Sequence, residues 1–225
     1  MIENYRSGLL WNNFMKNEKI QAATGKVFGD STTPDPTVLY VDASNAGDPY
    51  QDGSAGHPFD IIQEAVDAGG SNIIINVAPG LYTGTTQILD KLKVTLKGIV
   101  GDHDNPYNST MNTVIENRGD KFSLTINNSK DIAIDSIVIT GTGNETIVSG
   151  GISVSGSEGV FIKNNTIQKT ISSGGAVFLL NSNNVTISGN TLKQNNGAVW
   201  PGGAGGINVY VEAAMRANIV IEGND

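Results

Sequence analysis

The chain has 225 residues, of which 38% are hydrophobic, 6% aromatic and 16% charged, and 28 are glycine. This composition is too apolar for a disordered chain, and it favours many short strands joined by Gly and Asn turns over a helical enzyme. The net charge of −8 disfavours a nucleic-acid partner, and the lack of cysteine excludes disulfides, zinc–thiolate sites and thiol nucleophiles.

Residues 1–36 are predicted to form an attachment segment and a linker. A loosely helical apolar pattern covers residues 9–20, and the stretch DSTTPDPT has the composition of a linker. No stretch approaches the ~20 apolar residues of a membrane-spanning helix. The first residues lack the features of a signal peptide, and the chain stops within a repeat, so we expect the natural protein to continue beyond Asp225.

Residues 37–71 are predicted to form an N-terminal cap on a domain that covers 37–225. The alternation in TVLYVDAS predicts a strand, and an Asp- and Gly-rich loop follows it. In FDIIQEAVDAG, the apolar residues fall on one helical face and Gly69 provides a stop signal. The next segment, NIIINVAPGLYTG, predicts a buried strand and a Pro-Gly turn.

A short pattern of alternating apolar residues then recurs along the chain. Its second apolar residue is Leu96, Ile134, Ile162, Ile187 or Ile221, so successive copies are 38, 28, 25 and 34 residues apart. A second strand-like element precedes each of the later copies, as in GGISVS and GGINVYV. Repeats of this length predict a stacked solenoid with about two strands in each copy.

Asparagine occupies one turn position in three of these copies. Asn165, Asn190 and Asn224 each follow the apolar pair by the same number of residues. Stacked in register, their amides are expected to hydrogen-bond to one another inside a bend. Separate turn asparagines that face water remain the alternative.

Two stretches resemble the right-handed parallel β-helix proteins of the pectate-lyase-like superfamily. They are the cap LYVDASNAGDPYQDGSAGHPFDIIQEAVDAG with IIINVAPGLYTG, and the coil NNVTISGNTL. The resemblance implies an all-β fold, a right-handed parallel β-helix with an N-terminal capping helix. It identifies no subfamily, because the superfamily contains lyases, hydrolases, epimerases, tailspikes and adhesins. The Asp-Pro-His-Glu string of alginate epimerases and the paired-aspartate and Gly-His-Gly strings of polygalacturonases are absent.

The candidate catalytic and binding residues occupy outward positions on the strands. The richest cluster lies near the C-terminus and contains Trp200, Asn208, Tyr210, Glu212, Arg216 and Glu222. An aromatic ring there can stack on a sugar, and Glu212 and Glu222 are the candidate acid and base of a glycosidase. A lyase would instead use Lys163 beside Asp135. For each residue taken singly, solvated surface is the competing interpretation.

Metal ligands are sparse in the sequence. Asp42, Asp48 and Asp52 in the cap loop are candidate ligands of a structural Ca²⁺, although their spacing lacks the EF-hand pattern. His57 and His103 are 46 positions apart and make no recognisable metal motif, which favours structural loop histidines.

Two functions follow from these features. The first is an extracellular or virion-borne enzyme that acts on a polysaccharide. The second is a non-catalytic rod, such as a tailspike shaft, adhesin or surface-layer protein, for which a homotrimer is possible. A glycan partner is common to both.

Overall fold

The computed structural model describes residues 34–117, 122–141, 150–172, 175–197, 205–212 and 217–225. About half of these residues belong to short parallel strands that wind around one axis. Each full turn of the winding, called a coil below, contributes one strand to each of three sheets, and β1 and β19 add two further strands to the first sheet. The strands are numbered in chain order.

The first sheet is the longest. It contains β1 (Thr37–Val41), β2 (Ile73–Val77), β5 (Leu92–Lys97), β8 (Lys130–Asp135), β11 (Glu158–Lys163), β15 (Asn183–Ser188) and β19 (Ile219–Glu222). All neighbours are parallel, and Leu96, Ile134, Ile162, Ile187 and Ile221 form one continuous column. The predicted register of the repeat is therefore confirmed.

The other two sheets contain five strands each. The second sheet contains β3 (Gly80–Thr83), β6 (Thr113–Asn117), β9 (Val138–Gly141), β12 (Thr166–Gln168) and β16 (Thr191–Lys193). The third contains β4 (Thr86–Leu89), β7 (Phe122–Asn127), β10 (Gly150–Ser155), β14 (Val177–Leu180) and β18 (Ile207–Tyr210). Two-residue strands β13 (Ile171–Ser172) and β17 (Asn196–Gly197) pair beside them.

A full coil thus has three strands, whereas the sequence predicted about two. The missed strands belong to the second sheet. They are only three to five residues long, and β12 and β16 each add a single interior side chain, Ile167 and Leu192. A strand that short does not contain enough positions to display an alternating pattern.

The core is a column of aliphatic side chains enclosed by the three sheets. In the first sheet, the inward residues of β8, β11 and β15 have no exposed surface, while their neighbours on the strand face outward. Because stacked strands are ~4.8 Å apart, each Ile or Val packs directly on the equivalent residue of the next coil.

A short helix covers the first coil. The helix α1 (Ile62–Ala68) buries Ile62, Ala65 and Val66 in the same core, and the N–H of Gly69 ends it with a hydrogen bond to the carbonyl of Ala65. Tyr82 joins the first coil to the cap, since its hydroxyl donates to the Ala78 carbonyl and accepts from the N–H of Ala43. Burial raises the pKa of this phenol.

Buried polar ladders stabilise the corners. The predicted asparagine ladder is present between the first and second sheets: Asn165 Nδ2 donates to Asn190 Oδ1 at 3.0 Å, and Asn190 Nδ2 donates to Asn224 Oδ1 at 2.9 Å. A serine ladder that the sequence analysis missed occupies the corner between the third and first sheets. There the N–H of Ser129 donates to Ser157 Oγ, and the N–H of Ser157 donates to Ser182 Oγ.

No helix within the described ranges is long and apolar enough to cross a lipid bilayer. The predicted attachment segment lies almost wholly within residues 1–33, outside the described residues.

Candidate functional site

The C-terminal cluster predicted from the sequence is divided between two sheets. Tyr210 is exposed and Asn208 is half-buried, both on β18 of the third sheet, whereas Glu222 lies on β19 of the first sheet. Glu212 follows β18, and its N–H donates to Asn181 Oδ1. Trp200 and Arg216 lie outside the described residues.

The two glutamates lie near opposite ends of a strand. Glu212 is bonded to Asn181, which precedes β15, and Glu222 pairs with Ser188, the last residue of β15. The five residue steps from Asn183 to Ser188 span about 16 Å at ~3.3 Å per residue. Glycosidases separate their two carboxyl groups by ~5–9.5 Å, so these two glutamates would approach that range only with both side chains extended toward each other.

Lys163 and Asp135 are brought together on the outward face of the first sheet. They are paired in adjacent strands, and Lys163 Nζ lies 3.3 Å from Asp135 Oδ2. The other carboxylate oxygen, Oδ1, accepts hydrogen bonds from Ser136 Oγ and Asn164 Nδ2. The arrangement is a partly exposed ion pair with both carboxylate oxygens occupied, which contributes about 0–1 kcal/mol to stability.

The three cap aspartates each bind groups of their own loop. Asp42 Oδ1 accepts from the N–H and the hydroxyl of Ser44, and Asp52 Oδ1 accepts from the N–H of Ser54. Asp48 Oδ2 lies 2.9 Å from His57 Nδ1. In the part of the chain that the structure describes, no three Asp, Glu or His side chains form a group that would hold a metal ion.

A groove opens elsewhere, on the outer side of the second sheet. One wall is the loop 98–112 between β5 and β6, and the other is formed by β12, β16 and the residues that follow them. The groove has a volume of about 490 Å³ and is lined by Asp104, Asn105, Pro106, Tyr107, Gln168, Lys169, Lys193 and Gln194. This volume falls within the ~300–1,000 Å³ of small-molecule sites.

Buried Asn112 holds the loop in place. Its Oδ1 accepts from the N–H groups of Gly101 and Asp102, and its Nδ2 donates to the carbonyls of Asp102, Asn105 and Pro106. Asp102 accepts from Asn108 Nδ2 at 2.9 Å, and this hydrogen bond lowers the pKa of Asp102. The loop wall is therefore fixed by its own hydrogen bonds before any ligand arrives.

Tyr107 reaches from this loop to the sheet. Its hydroxyl lies 3.4 Å from Thr140 Oγ1 on β9, and Lys169 Nζ lies 4.4 Å from the centre of its ring. Tyr107 as a whole is 40% exposed. The Tyr107 ring and the ammonium of Lys169 therefore lie side by side. Together they suit a ligand that has both an apolar face and polar groups.

Gln168 forms the floor of the groove. It is the last residue of β12, paired with Thr140 and Lys193 in the neighbouring coils, and only 4% of it is exposed. Its buried Nε2 has no hydrogen-bond partner. A buried donor without a partner costs about 1–3 kcal/mol. Buried Asn76, which does not line the groove, has a side-chain amide in the same situation, so this feature alone does not mark a ligand site.

The sequence analysis missed this groove because Tyr107 and Gln168 belong to no motif. One signal was present: the copies at Leu96 and Ile134 are 38 residues apart, against 28 and 25 for the next ones. The extra length is the 98–112 loop. Which sheet the loop covers depends on the winding of the coils.

Comparison of the chain with known proteins identifies its fold and no more than that. A family model described as a right-handed β-helix region matches residues 94–225, more than half of the chain. Comparisons with curated proteins and with solved structures each found no match. The three parallel sheets, the stacked aliphatic columns and this match agree with the fold that the sequence resemblance implied. The chain belongs to the right-handed β-helix family.

Proposed function

We propose that this protein binds a polysaccharide in the groove between the 98–112 loop and the second sheet. The observation that carries the proposal is the exposed Tyr107 beside the ammonium of Lys169 in a polar groove. Sugars supply hydroxyl groups that would hydrogen-bond with the polar side chains that line the groove. Tyr107 adds the aromatic surface on which a pyranose ring packs.

The shape of the groove also suits a polymer. Thr140, Gln168 and Lys193 occupy one column along the axis of the β-helix, one residue per coil. The ~4.8 Å step between coils is similar to the length of one sugar unit, so successive units of a chain would meet successive coils. A ligand of this type is met outside the cell, which is the location we expect for the protein.

Binding is the function that the described residues support best. Glu212 and Glu222 have the residue types of an acid and a base, but their backbones lie near opposite ends of β15. Lys163 is ion-paired with Asp135. A glycan-binding rod therefore fits the described residues better than a hydrolase or a lyase does.

The test is a panel of neutral glycans, uronans and sulfated glycans, scored by titration calorimetry and for product formation. We expect binding to one class, and Tyr107→Ala to weaken it about tenfold or more. Tyr50→Ala removes another exposed tyrosine and is the matched control.

Two results would redirect the proposal. If Tyr210→Ala weakens binding while Tyr107→Ala does not, the ligand lies on the C-terminal coils predicted from the sequence. Release of reducing ends or unsaturated products would make the protein an enzyme. A protein that retains its fold and binds none of the glycans would contradict the proposal.

A further inference from the structure

The first coils of the first sheet present an uncharged patch on its outer face, called the outer patch below. It consists of the outward residues of β1 and β2, which are Val38, Tyr40, Ile74 and Asn76. Farther along the same face, the column of Tyr40 and Asn76 contains the charged residues Lys97, Asp135, Lys163 and Glu222. The outer patch lies on a different sheet from the groove and is independent of glycan binding.

Asn76 shows that the outer patch is covered. Its side chain points outward, since Ile75 and Val77 on either side of it belong to the core, yet it has no exposed surface. Its amide forms no hydrogen bond with a described residue, whereas an asparagine on a solvated face would remain hydrated. Tyr40 and Lys97 flank it in the column but are half-buried themselves, so the cover extends beyond them.

We propose that residues 9–20 of this chain form an amphipathic helix that packs on the outer patch. Their apolar residues include two pairs spaced four apart, Leu10 with Phe14 and Trp11 with Met15, which fall on one helical face. A helix over these residues would be about 18 Å long, similar to the ~16 Å of a strand such as β1. It would cover the side of the first coils, as α1 covers their end.

The chain enters the domain beside the outer patch. The carbonyl of Pro34 accepts from Asn72 Nδ2 at 2.7 Å, and the N–H of Thr37 donates to the carbonyl of Asn72, which directly precedes β2. The linker of residues 21–33 spans up to ~43 Å when extended, so the segment can reach every part of the patch. Such a tether keeps the effective concentration on the order of millimolar, which favours this segment over a separate partner.

Charge favours the same occupant. The basic residues of the segment 1–33 are Arg6, Lys16, Lys19 and Lys26, and its acidic residues are Glu3, Glu18 and Asp30. The segment is therefore slightly basic, while the whole chain has a net charge of −8. Attraction between opposite charges favours docking of the segment on its own domain, whereas two copies of the acidic domain repel each other.

The first experiment uses pairs of cysteines, because the chain has none of its own. Cysteine replaces each member of the two apolar pairs in turn, combined with Ile74→Cys, and a short bis-maleimide cross-links thiols that lie close together. We expect a cross-link within the chain for at least one of these four variants. The matched controls carry Val220→Cys instead, because Val220 is outward in the column of Ile74 but five strands away, about 24 Å.

The second experiment measures the accessibility of Trp11. The chain has two tryptophans, so Trp200→Phe leaves Trp11 as the only one. We expect acrylamide to quench its fluorescence severalfold less in the native protein than in the unfolded protein. Ile74→Lys should abolish this protection and Val220→Lys should preserve it, in variants whose circular dichroism shows that the fold is retained.

Three results would overturn the inference. Equal quenching of Trp11 in the native and unfolded proteins would show that the segment stays in solvent. No cross-link to Ile74→Cys in any of the four variants, or equal effects of Ile74→Lys and Val220→Lys, would show that the segment does not lie on the outer patch. A cross-link between two chains would make the patch an interface between copies. Each of these results leaves glycan binding in the groove intact.

Discussion

Asn190 shows how much a single side chain contributes at a corner of the β-helix. Its Oδ1 accepts from the N–H and the side-chain amide of Asn165 one coil earlier, and its Nδ2 donates to the Ile162 carbonyl and to Asn224 one coil later. It is 1% exposed. The repeat spacing was enough to predict this ladder, because every member has the same residue type.

Asn190→Ala is expected to lower the free energy of unfolding by about 2–4 kcal/mol. The substitution leaves the buried N–H of Asn165 without its acceptor, at about 1–3 kcal/mol, and it also removes the hydrogen bonds to the Ile162 carbonyl and to Asn224. Chemical denaturation measures the change. Thr186→Ala, at a half-buried outward position of the same coil, is the control and is expected to stay within about 0.5 kcal/mol. Equal losses for the two variants would contradict the importance of the ladder.

The serine ladder was missed although its spacing is the same. Ser129, Ser157 and Ser182 are 28 and 25 residues apart, as are Ile134, Ile162 and Ile187. Serine is common in turns of every kind, so its recurrence in a chain rich in serine does not stand out. Its role appears only when the hydroxyls are seen to accept from backbone N–H groups of the preceding coil.

His57 and Asp48 form a pH-dependent contact in the cap loop. The hydrogen bond that His57 donates to the Asp48 carboxylate raises the pKa of His57 above 6.5, and the same bond lowers the pKa of Asp48 below 3.8. The stability that protonated His57 gives to the cap loop is lost as the pH rises through the raised pKa of His57. That of Asp48 is lost as the pH falls through its lowered pKa.

The pair is therefore expected to stabilise the cap loop most between about pH 4 and pH 6.5. NMR titration of the His57 ring should give a pKa above 6.5 in the native protein, and Asp48→Asn should return it toward the ordinary value. A ring that titrates identically in both proteins would show that the contact is absent in solution.

At the scale of the strand, Gly151 is required by its neighbours. A Cβ on Gly151 would collide with the carbonyl oxygen of Ala176 in the next coil and lie 2.6 Å from Ile167 Cγ2. The equivalent residues in the next two coils are Ala176 and Gly206, and a Cβ on Gly206 would meet no atom within 4 Å. An added Cβ is therefore excluded at Gly151 and permitted at Gly206, although both glycines belong to one column of stacked residues.

Gly151→Ala is expected to destabilise the protein by about 1–3 kcal/mol, because the backbone of the next coil must move. Gly206→Ala is the matched control, and it should be neutral or slightly stabilising, since alanine restricts the unfolded chain. Thermal denaturation compares the two. A tolerated Gly151→Ala would mean that adjacent coils separate more easily than the structure indicates.

At the scale of the whole molecule, stability depends on the position of a coil in the stack. Ile134 lies in the middle of the first sheet with coils on both sides and has no exposed surface. Ile221 belongs to the same column on the last strand, and 48% of it is exposed. In a solenoid, each coil is stabilised by its immediate neighbours alone.

Ile134→Ala is expected to lower the free energy of unfolding by about 2–5 kcal/mol. Ile221→Ala, made as a separate single variant, is expected to lower it clearly less. Denaturation measures both variants. Hydrogen exchange provides an independent check, because the amides of β8 and β11 should exchange more slowly than those of β19. Uniform protection along the sheet, with equal costs for the two variants, would contradict a stack stabilised by nearest neighbours.

The sequence alone determined the architecture of this protein. Apolar pairs recurring every 25–38 residues, with Gly and Asn between them, bury their side chains by stacking, so a solenoid and its asparagine ladder were predictable. The resemblance to the pectate-lyase-like superfamily then implied a parallel β-helix with a capping helix. The tertiary structure alone decided where chemistry is possible. It separated Glu212 from Glu222, which the outward pattern had grouped, and it joined Tyr107 to Gln168 and Lys193 across coils. The physical reason is that the repeat specifies which side chains face inward, whereas a groove depends on which sheet an inserted loop covers.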